Sequence, residues 1–491
     1  MGYLRLAGAI VLSGLVVATS ISPSRANDDP NHHVILDSFA EGVSGTSEIY
    51  ALPDDQIRSV ISGSANNYLS QRKLCETLDS QECSGKTGLS LRIYLPPCSN
   101  TTNNMCIEGL QVSQNSNAPL VQGNFLSLTD GRTYPANPSK GTPEASAPSQ
   151  WQVPNVLNSG GSDKYVVKVL LDAFKLSTDN SLNIFDLNAL VDGDSKLLPD
   201  QRVALTLHLP NTLTGWLNGR LTNSSIDVSK IDDSINRLRV EANPVTVPEV
   251  DVTLTPSQVN ALPNPHFFQT GGSQWVSVNA GNPAALEWIK QLSGVMNNTS
   301  TGEHTSWFFS TIGGRQSNPC LADKTKVVGL VTTNSAVYSP GAPEFVNGFL
   351  DYQVGGLHFK ADGKTLNQGT YDLLIRSDVA RCLYNYTKAP ISATVSVASE
   401  NGDNQVGTTI VTEKDGWLHL GAYGFTYSSP IVRVKLKGTL ASQASKSNQQ
   451  SNQQSSSQGK VSGYPVTCVK GKVVQKIIAA KPMCPAGWTK K

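Results

Sequence analysis

The sequence predicts a mainly β protein with a few helices (α+β): two β-sandwich-like domains and a small disulfide-stapled C-terminal module. Three observations predict it. Apolar–polar alternations of strand length recur from residue 89 to residue 436, the period-2 pattern of half-buried strands. Clusters of Pro, Gly and Asn punctuate them. Eight cysteines, an even number, stand in local groups at 75, 83, 98, 106, 320, 382, 468 and 484.

Taken in order, the chain opens on an export signal. Met1 to Arg5 leads into the apolar Leu6–Val17, Ser22-Pro23 breaks any helix, and Ser24 and Ala26 supply small residues before Asn27. Residues 1–26 therefore read as a secretory signal peptide. The apolar stretch is shorter than the roughly 20 residues a membrane span needs. No Cys follows it to take a lipid anchor, and Leu6 departs from the Ser or Thr of a myristoylation signal. Leu209-Pro210-Asn211-Thr212 lacks the Gly of a sortase signal. Past residue 27 no run of 18 apolar residues occurs, so no transmembrane segment is expected after cleavage.

Residues 27–255 read as an N-terminal β-rich domain. Pro53-Asp54-Asp55, then Ile57, Val60, Ile61, Tyr68 and Leu69, predict one or two short helices. Leu89, Leu91, Ile93 and Leu95 alternate with Ser90, Arg92 and Tyr94, and Val203, Leu205, Leu207 and Leu209 with Ala204, Thr206 and His208. Residues 133–162, rich in Pro, Ser, Gly and Asn, read as a long surface loop. Tyr165 to Phe174 reads as a buried strand, and Leu238 to Leu254 continues the theme. Residues 256–440 read as a second β-rich domain containing one helix at about 282–297. Asn282 is placed to cap it, Pro283 fits its first turn, and Leu286, Ile289, Leu292 and Met296 share a face. Alternations follow over Ile391–Val397, Leu418–Ala422 and Val432–Leu436, with a hairpin turn at Asn401-Gly402-Asp403. Residues 441–459, nearly all Ser, Gln, Asn and Ala, read as a linker. Residues 460–491 form a basic Cys/Lys module.

Charge is unevenly spread. Past residue 26, 37 basic residues face 38 acidic ones, but residues 460–491 hold seven Lys and no acid, leaving 30 against 38 in the body. Such a balance excludes a nucleic-acid-binding body, which needs a basic excess. The basic end, with Lys470, Lys472 and Lys476, points instead to a polyanion such as a cell-wall polymer, or to an envelope protein. Charged residues are only 16% of the chain, which excludes a charge-rich disordered polymer, so Ser, Thr, Asn and Gln must carry the surface.

Outside the cell, paired cysteines are the default. Spacing favours Cys75–Cys83, Cys98–Cys106, Cys320–Cys382 and Cys468–Cys484, and the first four also fit a crosswise pairing. Zinc normally wants C-x₂₋₄-C, which is absent.

No G-x-S-x-G, H-E-x-x-H or G-x-x-x-x-G-K-[ST] occurs, so those hydrolase, metalloprotease and nucleotide readings have no support, and no cofactor is expected. Glu303 and His304 beside Trp307 are candidate hydrolytic groups, with Asp372 or Asp378 as a second carboxylate. The competing reading is a strand whose aromatics pack inward. Trp307, Trp417 and Tyr423, with Tyr427, are candidate binding aromatics. Asp192 and Asp194 sit in an acidic run with Asp186 and Asn188, a candidate Ca²⁺ site that departs from EF-hand order at Leu190 and Val191.

Three stretches carry a resemblance. They are Thr212–Leu221, Tyr371–Tyr384 together with Gly424–Pro430, and Cys468-Val469-Lys470-Gly471-Lys472 continuing to Lys481-Pro482-Met483-Cys484-Pro485-Ala486-Gly487-Trp488. Together they resemble exported actinobacterial proteins of unassigned function. The last resembles a short Cys/Lys module that ends many of them. The resemblance implies a secreted or cell-envelope location and supplies no reaction. The expectation is thus a non-catalytic, envelope-associated or extracellular binding or structural protein, with a polysaccharide-directed secreted hydrolase as the alternative.

Overall fold

Period-2 alternation becomes ladder upon ladder: the described residues form 31 strands. The structure, a computed structural model, describes residues 32–37, 43, 45–52, 72–86, 88–99, 105–175, 182–193, 197–213, 215–263, 275–279, 283–311, 318–321, 323, 326–339, 341–387, 392–398, 404–405, 408–427, 431–437, 464–470, 473–479 and 489–490. Outside them lie the expected signal peptide, the helices over 53–69, the turn at 401–403, the linker, Asp194, Lys472 and Cys484.

The first half runs β1 (His32–Asp37), β2 (Glu48–Ala51), β3 (Lys73–Leu74), β4 (Leu89–Tyr94), β5 (Cys106–Val112), β6 (Val121–Gln122), β7 (Asn124–Leu128), β8 (Ser149–Gln152), β9 (Lys164–Lys175), β10 (Leu182–Gly193), β11 (Val203–Pro210), β12 (Trp216–Arg220), β13 (Thr222–Lys230), β14 (Ile235–Asn243) and β15 (Val245–Leu254). Next come α1 (Pro256–Asn260), β16 (Trp275–Asn279), α2 (Pro283–Val295), β17 (Gly302–Ser306), β18 (Phe308–Thr311), β19 (Gly329–Thr333), β20 (Val337–Tyr338), β21 (Glu344–Val346) and β22 (Phe349–Gly355). They are followed by β23 (Gln368–Arg376), α3 (Ser377–Tyr384), β24 (Ser392–Ala398), β25 (Asn404–Gln405), β26 (Thr408–Lys414), β27 (Trp417–Thr426) and β28 (Ile431–Lys437). The last three are β29 (Tyr464–Lys470), β30 (Val473–Ala479) and β31 (Thr489–Lys490).

Thirteen strands make one long sheet, ordered β26-β27-β23-β19-β12-β18-β10-β9-β4-β2-β3, with β8 on β9 and β7 on β8. Successive side chains point to opposite faces, and the sheet uses both. Leu91, Leu171, Leu187, Leu217 and Leu374 share a core with Leu110, Leu205 and Leu238 of the five-stranded sheet β13-β14-β11-β5-β6. On the other face Trp216, Val331, Leu373 and Leu420 share a second core with Leu350, Tyr352, Val432 and Val434, from the sheet that holds β22 and β28. Two sandwiches therefore use opposite faces of one sheet. Helix α2 falls within the predicted span and buries Ala285, Trp288, Ile289 and Leu292 in a third cluster with Val34 and Val250. Those two come from a four-stranded sheet, β16-β1-β15-β17.

The divide expected between residues 255 and 256 is bridged. Strand β12 pairs with β18 and β19, and β10 pairs with β18. Thr255-Pro256, which reads as a boundary, is a capping box: the Thr255 side chain accepts from Gln258 N and Gln258 reaches back to the cap. The compact units are instead Met1–Ala441 and Ser442–Lys491. The second holds the three-stranded sheet β30-β29-β31, with Cys468 opposite Gln475 and Lys490.

The expected loop at 133–162 is also corrected. It contributes β8, and Tyr134, Trp151, Val153 and Val156 enter the first core, because its turns return the chain to the sheet. Disulfides join Cys75–Cys83, Cys98–Cys106 and Cys320–Cys382, the local pairing rather than the crosswise one. No described helix is long and apolar enough to cross a membrane.

Candidate functional site

Strand alternation sends Glu303 and His304 to opposite sides. Glu303 is exposed and pairs with Lys360 Nζ at 2.9 Å. His304 is buried, its Nδ1 3.2 Å from Glu249 Oε1. Trp307 is fully buried in the first core and donates Nε1–H to Ala242 O at 3.1 Å. The candidate Glu303–His304–Trp307 cleft is thus not formed; the competing reading holds, with Trp307 and Phe309 packed inward in the first core. Asp378 is held by Arg376 in a fork of 2.9 and 2.8 Å, which lowers its carboxyl below the usual range. Asp192 is partly buried near the end of β10. The sulfurs of Cys98 and Cys106, with His208, are the one grouping of potential metal ligands among the described residues, and those sulfurs are joined to each other.

Asp372 is where the sequence-predicted residues meet. It lies on β23 opposite Gly421 of β27, on the face away from Leu373 and the second core. Its carboxylate is fully buried and takes three donors. Thr222 Oγ1 donates to Oδ2 at 2.9 Å, His419 Nε2–H to Oδ1 at 2.7 Å, and Tyr423 OH also to Oδ1. Gly421 makes this possible: a Cβ there would stand 2.5 Å from Tyr423 OH and 2.6 Å from the ring, so only glycine lets the phenol fold back over the strand. Burial, then the Asp372 charge, pushes the Tyr423 phenol well above its ordinary value. Trp417, on the same face of β27, packs against the first core, and Tyr427 is buried, donating to Asn334 Oδ1 at 2.7 Å. A carboxylate orienting an imidazole is half of a nucleophilic site. Among the described residues, no hydroxyl or thiol is hydrogen-bonded to His419 Nδ1 to complete it.

A second carboxylate cluster pairs Asp186, read from sequence only as part of an acidic run, with Asp172, which escaped it. On β9 and β10, Asp172 and Asp186 stand directly opposite each other, on the face away from the first core. A bulge between Ile184 and Asp186 sets Phe185 beside Phe174, the rings stacked at 5.0 Å, with Phe185 43% exposed. Arg92 of β4 lies opposite Asp172, with Nη1 at 3.2 Å from Oδ2. Asn188 donates to Asp186 Oδ2 at 3.0 Å, and Ser310 to Asn218 Oδ1 at 3.0 Å. A polar row thus crosses β4, β9, β10, β18 and β12. Burial first, and the Asp172 charge second, push Asp186 up to about 6. Desolvation also raises Asp172, against the pull of Arg92. An Asp set within the apolar run Val169 to Phe174 was the available clue.

The raised Asp186 has a sign. Its folded form holds a proton more tightly than the unfolded chain, so its contribution favours folding most below about pH 4. That contribution is lost as pH rises to about 6. Asp186→Asn is therefore expected to be about 1–2 kcal/mol more stable than the parent near pH 8 and equal to it near pH 4. Denaturant midpoints at the two pH values check this.

No family model, curated protein or solved structure matches this chain.

Proposed function

We propose that the protein is exported and acts without catalysis at the cell envelope or outside the cell, as a binding or structural β scaffold. In this reading the basic C-terminal unit holds the acidic body to an anionic cell-wall polymer or an envelope partner. The observation that carries it is the segregation of charge into a separate compact unit: Ser442–Lys491 holds seven Lys past residue 459 and no acid at all. Three closed disulfides support an oxidising location. So does the signal-like order of residues 1–26. Lysines attract a polyanion through screened Coulomb forces. The full chain is therefore expected to sediment with isolated cell walls at low salt and to be released at about 0.5 M salt. A chain lacking 459–491 should stay in solution. Equal retention of the truncated chain would overturn the role of this unit.

A second reading, a polysaccharide-directed hydrolase, is favoured by one observation, the opposed pair Asp172 and Asp186. Paired carboxylates serve as the acid and base of many glycosidases, and here desolvation raises both members of the pair. This pair takes the place of Glu303 and Asp372, which sit in different sheets. The stacked Phe174 and Phe185 flank it as an apolar platform. Release of reducing ends from wall polysaccharide, abolished in Asp186→Asn, would favour this reading over the first.

A further inference from the structure

The five-stranded sheet carries a line of sulfur, imidazole and carboxylate on the face away from its core. Cys106 and His208 stand directly opposite each other on β5 and β11. His208 Nδ1 lies 3.6 Å from Cys106 Sγ and 3.7 Å from Cys98 Sγ. Its Nε2 lies 2.9 Å from Glu108 Oε2. The register of β5 slips between Ile107 and Gly109, so Glu108 is the extra residue of a bulge and reaches the imidazole. Arg237, opposite His208 on β14, clamps Glu108 through Nε at 2.6 Å and Nη2 at 2.8 Å, and Asp227 adds its charge near Arg237. Because the carboxylate accepts the proton on Nε2, Nδ1 is the nitrogen left facing the sulfurs.

We propose that Cys98–Cys106 is a thiol–disulfide exchange centre, with His208 as the proton donor and acceptor to its sulfurs and Glu108 as the positioning residue. The co-reactant is a dithiol. One of its thiolates attacks Cys98 Sγ, the more accessible sulfur, since Cys106 is only 3% exposed. The Cys98–Cys106 bond breaks, and its electron pair leaves on Cys106 Sγ, which takes the Nδ1 proton of the His208 imidazolium. The second thiol of the reagent then attacks the reagent's own sulfur in the mixed disulfide and releases Cys98. The protein disulfide is reduced and the dithiol is oxidised to a disulfide. In reverse, Nδ1 is the base that takes the Cys106 proton.

The other two bonds supply the controls. Cys75 and Cys83 are fully buried, whereas Cys382 is exposed at the surface. Among the described residues, only the Cys98 and Cys106 sulfurs have an imidazole in hydrogen-bonding reach.

The test treats the folded full chain with dithiothreitol at about pH 6 and about pH 8, on either side of the ordinary imidazole range. Alkylation and peptide mass mapping follow each pair. An outside thiolate is scarce at acid pH for every bond, but imidazolium assistance is greatest there. Cys98–Cys106 is therefore expected to open about tenfold faster than Cys320–Cys382 near pH 6, with the advantage shrinking toward pH 8. His208→Gln should remove the advantage and leave Cys320–Cys382 unchanged, and Glu108→Gln should reduce it. Equal rates near pH 6, a ratio that does not change with pH, or a His208→Gln chain that still opens at the parental rate would each overturn the proposal. Should His208→Gln fail to fold, the pH ratio of the parent and the Glu108→Gln chain decide it.

Discussion

Arg220→Met is expected to lower the free energy of unfolding by about 3–5 kcal/mol, the cost of leaving three buried carbonyls without their donor. Arg220 is fully buried in β12, and its guanidinium lies 4.5 Å from the centre of the Tyr338 ring. Nη1 donates to Ser335 O and to Thr333 O at 3.4 Å, and Nη2 donates to Ala336 O at 3.1 Å. The turn after β19 thus has its carbonyls satisfied by one side chain. Methionine fills much of the volume and the apolar contact but donates nothing, so those carbonyls lose their donor in a dry site. Lysine keeps the charge but not the planar fork, so Arg220→Lys should recover only part of the loss. Denaturant unfolding with an unchanged m-value checks both. An Arg220→Met chain as stable as the parent would show that the turn finds other donors.

Asp372→Ala is expected to cost a similar amount, about 3–5 kcal/mol, because it strands three donors at once. Thr222, His419 and Tyr423 come from β13 and β27, so the carboxylate ties two sheets together at one point. Ultraviolet titration of the tyrosines separates this local effect from general loosening. The Asp372 charge helps push Tyr423 upward, so the phenol should ionise at lower pH in a folded Asp372→Ala chain than in the parent. No change in that titration would mean that Asp372 does not govern the phenol.

Much of the architecture was legible because it is local. Alternation marked β4, β11, β24, β27 and β28, helical spacing marked α2, and short intervals between cysteines marked two of the bonds. Sheet order was not legible. Nothing in Trp216–Arg220 says that its neighbours are β18 and β19, about a hundred residues on, and so residue 255 looked like a boundary. The candidate site shows the same limit. Asp372 stood out only as a possible second carboxylate for Glu303; its donors come from β13 and β27, and only long-range register brings them to it. Glu303 and His304 looked like a catalytic pair because they are adjacent. On a strand, adjacency places side chains apart, and each found a separate ion-pair partner. Asp172 and Asp186 are fourteen positions apart, and only a bulged hairpin makes them neighbours.

The long shared sheet also sets the order in which the chain can mature. Within it β12 needs β19 on one flank, and β19 needs β23, whose own outer neighbour is β27. A polypeptide emerging from its amino end therefore displays unfinished hydrogen-bonding rims until residue 426 has appeared. Early segments must stay soluble, and unassociated, through that wait. In the export reading proposed above this delay is useful, since a polypeptide not yet locked into its final pairing can still be threaded through a pore.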